Sequence, residues 1–202
     1  MIRIQHNADT LLVVIHEIYG LNRHMEGICE SLAEQGFDVI CPNLLKRKTP
    51  FPYSEEEMAY QYFMNNVGFA RVCQEVIAIV NEAKRKYRRV VLIGFSVGAT
   101  AAWLCSGHEG VDGIVGYYGS RIRNYTEITP KCPVLLFFPQ EERSFQVDEL
   151  ISTLQRKGTA VYKFEGLHGF SDPCSSKYKE QSAQQAFSLM MSFIQSIPSQ
   201  SC

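Results

Sequence analysis

The run Val90-Val91-Leu92-Ile93-Gly94-Phe95-Ser96-Val97-Gly98-Ala99-Thr100-Ala101-Ala102 sets the reading of the whole chain, because an apolar segment ends in Gly-x-Ser-x-Gly and continues as an alanine-rich helix. A strand that reverses into a helix within so few residues forces the central residue into a strained conformation and lifts its side chain clear of the backbone. Gly94 and Gly98 leave room where strand and helix approach, and the start of the helix presents free N–H groups toward an oxyanion. Ser96 is therefore read as a nucleophile. The pentapeptide alone also occurs in ordinary turns, and the strand before it and the helix after it give it weight.

Outward from this elbow, strands and helices alternate. Toward the N-terminus, Ile2 to Gln5 and Thr10 to His16 read as strands joined by a turn at Asn7-Ala8-Asp9, and Phe37 to Cys41 as a third. Leu11-Leu12-Val13-Val14-Ile15 is apolar without alternation, as in a strand covered on both faces. Between them Leu21, Met25, Ile28 and Leu32 recur at helical spacing, with Gly36 at the exit. Pro42 to Ser54 is a loop with three prolines, which either shapes a pocket or is a surface excursion. A helical stretch from Glu55 to Arg85 is acidic at its start, basic at its end and interrupted at Gly68.

Beyond the elbow, Gly113 to Tyr118, Val134 to Phe138 and Ala160 to Phe164 read as strands. Val147, Leu150, Ile151 and Leu154 trace a helix, and a last helix from about Ser176 carries Ala183, Ala186, Phe187, Met190, Met191 and Ile194 on its buried side. Short connections and this alternation predict a mostly parallel sheet with helices on both faces. One α/β domain over residues 1–197, with a tail at 198–202 and no separate cap domain, is the expected organisation.

The 202 residues are 46% hydrophobic and 20% charged, enough for one substantial core in a soluble protein. A net charge of −1 and a pI near 6.5 give no electrostatic footprint for nucleic acid or an anionic membrane. Lys84-Arg85-Lys86-Tyr87-Arg88-Arg89, the one basic cluster, falls where a helix should end and complements its dipole. Seven scattered cysteines without a Cys-x-x-Cys pair read as free thiols in a reducing compartment, and Met1 to His6 lacks the apolar segment of a signal peptide. A cytoplasmic location is expected, with neither nucleic acid nor membrane as a partner and the oligomeric state open.

Acyl transfer by serine needs a base within hydrogen-bond reach, an acid to orient the base, and N–H donors facing the oxyanion. In folds built on such an elbow the order along the chain is serine, acid, histidine. His168, in Glu165-Gly166-Leu167-His168-Gly169-Phe170 just past the last strand, fits the base. Glu141 and Glu142 follow the strand ending at Phe138 and are both candidates for the acid, with Glu142 preferred for its spacing; Asp148 is further along and belongs to a helix. Arg121 and Arg123 are either pocket contacts or exposed. His16, Glu17 and His24 show no metal-ligand spacing, so neither a metal nor a cofactor is expected.

Several ordered motifs together resemble the dienelactone hydrolase family of α/β hydrolases: Val14-Ile15-His16-Glu17-Ile18-Tyr19-Gly20-Leu21-Asn22, Leu32 to Phe37 followed by Cys41-Pro42-Asn43-Leu44, the elbow, Gly116-Tyr117-Tyr118-Gly119, and His168-Gly169-Phe170. The resemblance spans nearly the whole chain and implies an α/β-hydrolase fold. It also implies that Glu17 lies beside the nucleophile and that the backbone N–H groups of Ile18 and Val97 form the oxyanion hole. Three departures separate this chain from the name-giving enzymes. Serine stands where they carry cysteine, so a preformed thiolate is not available. The acid segment Pro139-Gln140-Glu141-Glu142-Arg143-Ser144 offers glutamates instead of aspartate. Asp172 replaces the arginine that helps them hold the dienelactone carboxylate. The expected activity is hydrolysis of small carboxylic esters or lactones through an acyl-enzyme on Ser96, with His168, Glu142 and Glu17 as catalytic groups, and with Tyr19, Tyr117 and Tyr118 lining the pocket. The rival readings are a hydrolase-fold protein that binds a ligand or partner with little catalysis, and an acyltransferase.

Overall fold

The computed structural model describes residues 1–198; of the expected tail, residues 199–202 lie outside the described residues. Seven strands form one sheet in the order β1-β3-β2-β4-β5-β6-β7. These are β1 (Ile2–Ile4), β2 (Thr10–Ile15), β3 (Asp38–Cys41), β4 (Arg89–Phe95), β5 (Gly113–Tyr117), β6 (Val134–Pro139) and β7 (Ala160–Phe164). All neighbours are parallel except β1, which pairs antiparallel with β3. The turn expected at Asn7-Ala8-Asp9 therefore does not close a hairpin of β1 on β2. Asn7 has φ +60, and the N–H groups of His6 and Ala8 donate to Asp38 Oδ1 at the start of β3, which carries β1 past β2 to the outer edge.

Alternate residues of the buried strands serve two cores. Leu11, Val13 and Ile15 face the side covered by α3 (Gly68–Ala83), α4 (Val97–Leu104) and α5 (Val147–Gln155). Leu12 and Val14 face the side covered by α1 (Arg23–Glu34) and α6 (Glu180–Ser196). An apolar strand without alternation is what this double cover requires. The last helix starts at Glu180, not near Ser176, because residues 171–179 form turns; Ser182, not Ala183, is buried there, donating from its hydroxyl to the Glu165 carbonyl over 2.8 Å. The long helical stretch is divided into α2 (Glu56–Tyr62), a π-helical turn at Phe63–Val67, and α3, which Gly68 begins at φ +70.

After β2 the chain moves outward to β3, on the side where β1 forms the edge, whereas after β4 it builds to β5, β6 and β7 on the other side. Helices leaving β2 and β4 consequently pass to opposite faces, and a crevice opens between the carboxyl ends of these two strands. Ligands bind at such a switch point in open α/β sheets. The elbow stands at its edge.

Candidate active site

Ser96 has φ +53 and ψ −113, a conformation that a non-glycine residue holds only when its surroundings over-determine it. Those surroundings are close. A Cβ on Gly94 would lie 2.2 Å from the Gly98 carbonyl oxygen, and one on Gly98 would lie 2.1 Å from the Ile15 carbonyl oxygen. Two glycines are thus required by contact between β4, α4 and β2. The Ser96 N–H donates to the Tyr117 carbonyl over 2.9 Å, fixing the elbow to the neighbouring strand.

His168 is brought over Ser96 by a turn flanked by Gly166 (φ +124) and Gly169 (φ +93). Phe170, fully buried against Tyr118 and Phe164 at ring-centroid distances of 5.6 Å, anchors that turn. His168 Nε2 lies 2.8 Å from Ser96 Oγ, and His168 Nδ1 lies 2.6 Å from Glu142 Oε1. Glu142, which forms an isolated antiparallel bridge with Phe145, has a side chain only 8% exposed, while Glu141 remains exposed. The chain-order expectation for the acid thus meets a side chain in contact with the histidine. Ile18 and Val97 line the same cavity as Ser96, and among the described residues neither backbone N–H has an acceptor. The two groups are available to a ligand oxygen.

The cavity above them measures about 440 Å³. Tyr19 lines it, as expected from the sequence, but Tyr117 and Tyr118 do not. Tyr117 ends β5 pointing to the opposite core, stacked on Phe95 at 4.7 Å with its hydroxyl 3.7 Å from Met190 Sδ. Tyr118, at φ +42, is wholly buried with its hydroxyl 3.0 Å from Ser171 Oγ and its ring 5.0 Å from that of His168. Both support the site from behind. The opposite wall comes from Tyr53, Glu56, Glu57 and Tyr60, which the proline-rich loop and α2 deliver; the Phe51 N–H donates to the Tyr19 carbonyl over 2.9 Å and ties that loop to the site. Arg121 lines the cavity, its guanidinium bonded to the Tyr60 hydroxyl, whereas Arg123 bonds the Ser120 carbonyl and sits over the Phe145 ring outside it.

Glu17 is buried at the cavity edge, and among the described residues its carboxylate makes no hydrogen bond to Ser96, whose hydroxyl is paired with His168. It belongs to a second cluster. His24, on the first turn of α1, places Nδ1 3.9 Å from Glu17 Oε2 and 3.7 Å from Asp172 Oδ2. Burial pushes the Glu17 carboxyl up, but His24, then His168 and the Tyr118 hydroxyl, outweigh it and hold the carboxyl below its ordinary range. The hydroxyl of Tyr53 donates to Asp172 Oδ2 over 2.5 Å and accepts from Asn22 Nδ2 over 3.1 Å, while Asn22 caps α1 by accepting from the Met25 N–H. Burial first, then Asp172 and Glu17, raise the Tyr53 hydroxyl well above the usual range, so it remains a donor. Glu17, His24 and Asp172 place one ligand atom each within 4.8 Å of one another, a set of the kind that holds a divalent ion. Both Asp172 oxygens already accept, from Tyr53 and from the Cys174 N–H at 2.8 Å. Spacing along the chain could not reveal this cluster, since its third member, Asp172, is far in sequence from Glu17 and His24.

The chain matches the dienelactone hydrolase family over residues 3–197. It is 42% identical over 171 residues to YczH, an uncharacterised Bacillus subtilis (strain 168) protein, with 82% of each chain covered. A carboxymethylenebutenolidase from Pseudomonas putida is 30% identical over 129 residues, 60% of this chain and 55% of that one. Among solved structures, the dienelactone hydrolase-like promiscuous phosphotriesterase P91 from metagenomic libraries superposes with a TM-score of 0.74 at 17% identity, over 93% of this chain and 86% of that one, a likeness of fold. Among the described residues no helix is long and apolar enough to cross a membrane.

Proposed function

Because the chain belongs to the dienelactone hydrolase family, a family of α/β hydrolases, we propose that it hydrolyses small carboxylic esters or lactones through an acyl-enzyme on Ser96. The observation that carries this reading is the continuous run Ser96 Oγ, His168 Nε2, His168 Nδ1, Glu142 Oε1, at 2.8 and 2.6 Å, opening on a cavity whose wall offers the N–H groups of Ile18 and Val97. His168 removes the hydroxyl proton as Ser96 Oγ attacks the carbonyl carbon, and the Glu142 carboxylate stabilises the imidazolium that forms. The carbonyl oxygen becomes an oxyanion facing Ile18 and Val97. Collapse expels the alcohol with the proton from His168. Water, deprotonated by the same histidine, then releases the acid.

The walls point to uncharged esters or lactones. Where the name-giving enzymes hold a substrate carboxylate with arginine, this cavity has Asp172, with Glu17 buried beside it and Glu56 and Glu57 opposite. A substrate carboxylate next to these groups would meet like charge in a partly desolvated site. Intact-mass analysis after exposure to a fluorophosphonate probe tests the reading. One adduct is expected on the folded protein and none on Ser96→Ala or on a heat-unfolded sample. Absence of an adduct on folded protein would refute it.

A further inference from the structure

His16, just past the end of β2, is buried to 2% exposure, is not among the residues lining the cavity, and yet has both ring nitrogens engaged. The Leu44 N–H donates to His16 Nε2 over 3.1 Å, and His16 Nδ1 lies 2.6 Å from the Glu17 carbonyl oxygen. A backbone N–H can only donate, so Nε2 must keep its lone pair, and the ring proton is on Nδ1, donating to Glu17. The contact with Leu44 selects the tautomer. A protonated ring would set two N–H groups against each other, and burial accordingly pushes the ring down to about 4.

The Glu17 carbonyl belongs to the same peptide unit as the Ile18 N–H. That unit is planar and trans, so the direction of the carbonyl fixes the opposite direction of the N–H. Besides His16, among the described residues the carbonyl accepts only a longer bond of 3.2 Å from the Gly20 N–H. We propose that neutral His16, as its Nδ1–H tautomer, is the positioning residue that holds the Ile18 amide as an oxyanion donor. The inference rests on the reading of Ile18 and Ser96 given above. It makes the aim of a catalytic N–H depend on a side chain behind the peptide plane, and it couples that aim, through Leu44, to the loop that carries Tyr53 to the cavity.

His16→Leu and His16→Gln separate this role from packing. Leucine leaves the Glu17 carbonyl and the Leu44 N–H without the ring, whereas the glutamine amide supplies one donor and one acceptor. Loss of an oxyanion donor costs about 10²–10³-fold in kcat, and a donor that is loosened but still present should cost less. His16→Leu is expected to lower kcat on a p-nitrophenyl ester by ~10–100-fold with little change in KM. Its affinity for phenylboronic acid, which bonds to Ser96 Oγ as a tetrahedral anion, should fall by the same factor. His16→Gln should restore both to within about threefold of wild type. A folded His16→Leu with wild-type kcat and wild-type boronate affinity overturns the proposal. Should that variant not fold, the ring ¹⁵N signals of His16 in the wild-type protein decide: the Nδ1–H pattern at neutral pH supports it, and an Nε2–H or imidazolium pattern overturns it. Failure of wild-type Ser96 to take up either the boronate or the fluorophosphonate removes the parent reading and this one together, while Ser96 labelling with an unaffected His16→Leu removes this one alone.

Discussion

Replacing Glu142 by glutamine keeps the size and hydrogen-bonding shape of the side chain and removes its charge. In the resting state the amide oxygen can still accept from His168 Nδ1–H, so substrate binding should change little. The difference arises when His168 becomes an imidazolium, because a full charge then faces a neutral amide at the 2.6 Å contact. For charge centres about 4 Å apart, the attraction is about 1 kcal/mol in water and about 4 kcal/mol at an effective dielectric of ~20. Glu142 is 8% and His168 29% exposed, so the pair lies nearer the second limit, at about 2–4 kcal/mol. At ~1.4 kcal/mol per decade this is a ~30- to 1000-fold loss in kcat. Steady-state hydrolysis of p-nitrophenyl acetate measures it, with Glu141→Gln as the control, expected to stay within about twofold because that side chain is exposed. A Glu142→Gln enzyme within about threefold of wild type, or a larger effect at Glu141, refutes the assignment of the orienting acid.

Gly98→Ala should lower Tm by roughly 6–12 °C or prevent soluble expression, because its Cβ would meet the backbone carbonyl oxygens of Ile15 and His16 at 2.1 and 2.8 Å; an unchanged melting curve would contradict the elbow packing. Glu17→Gln should alter turnover more than stability, since its carboxylate faces both His24 and His168; full kcat together with a Tm several degrees lower would show a purely structural carboxylate. His16 predicts an acid sensitivity of the fold. Its folded value of about 4 lies below the ordinary histidine value of about 6.5, so the unfolded chain binds more protons between the two, and stability, complete above about 6.5, falls as the pH drops toward 4. Urea unfolding of wild type against His16→Gln should show the wild type losing about 2–3 kcal/mol more between pH 7 and pH 4.5, and parallel losses would refute it.

Much of this molecule follows from local sequence. Gly94-Phe95-Ser96-Val97-Gly98 between an apolar strand and a small-residue helix specifies the elbow, because only glycine tolerates backbone carbonyls about 2 Å from a Cβ position. Strand and helix alternation yields the double-sided sheet, since an apolar strand without alternation must be covered on both faces. His168 and the glutamate pair could be placed because loops at the carboxyl ends of neighbouring parallel strands converge. Contacts between residues distant in the chain were decided by the tertiary structure alone. Contact with His168 singles out one of two adjacent glutamates, and the side of β5 on which Tyr117 emerges puts it in the core instead of the cavity. Asp38 draws β1 to β3 by accepting from His6 and Ala8, which no turn signal at Asn7-Ala8-Asp9 encodes. Glu17, His24 and Asp172 become a buried cluster, and His16 meets Leu44, only when the loops after β2, β3 and β7 close on one crevice. Periodicity records which face of an element is apolar, whereas the partner of a polar side chain is set by where the fold brings another chain segment.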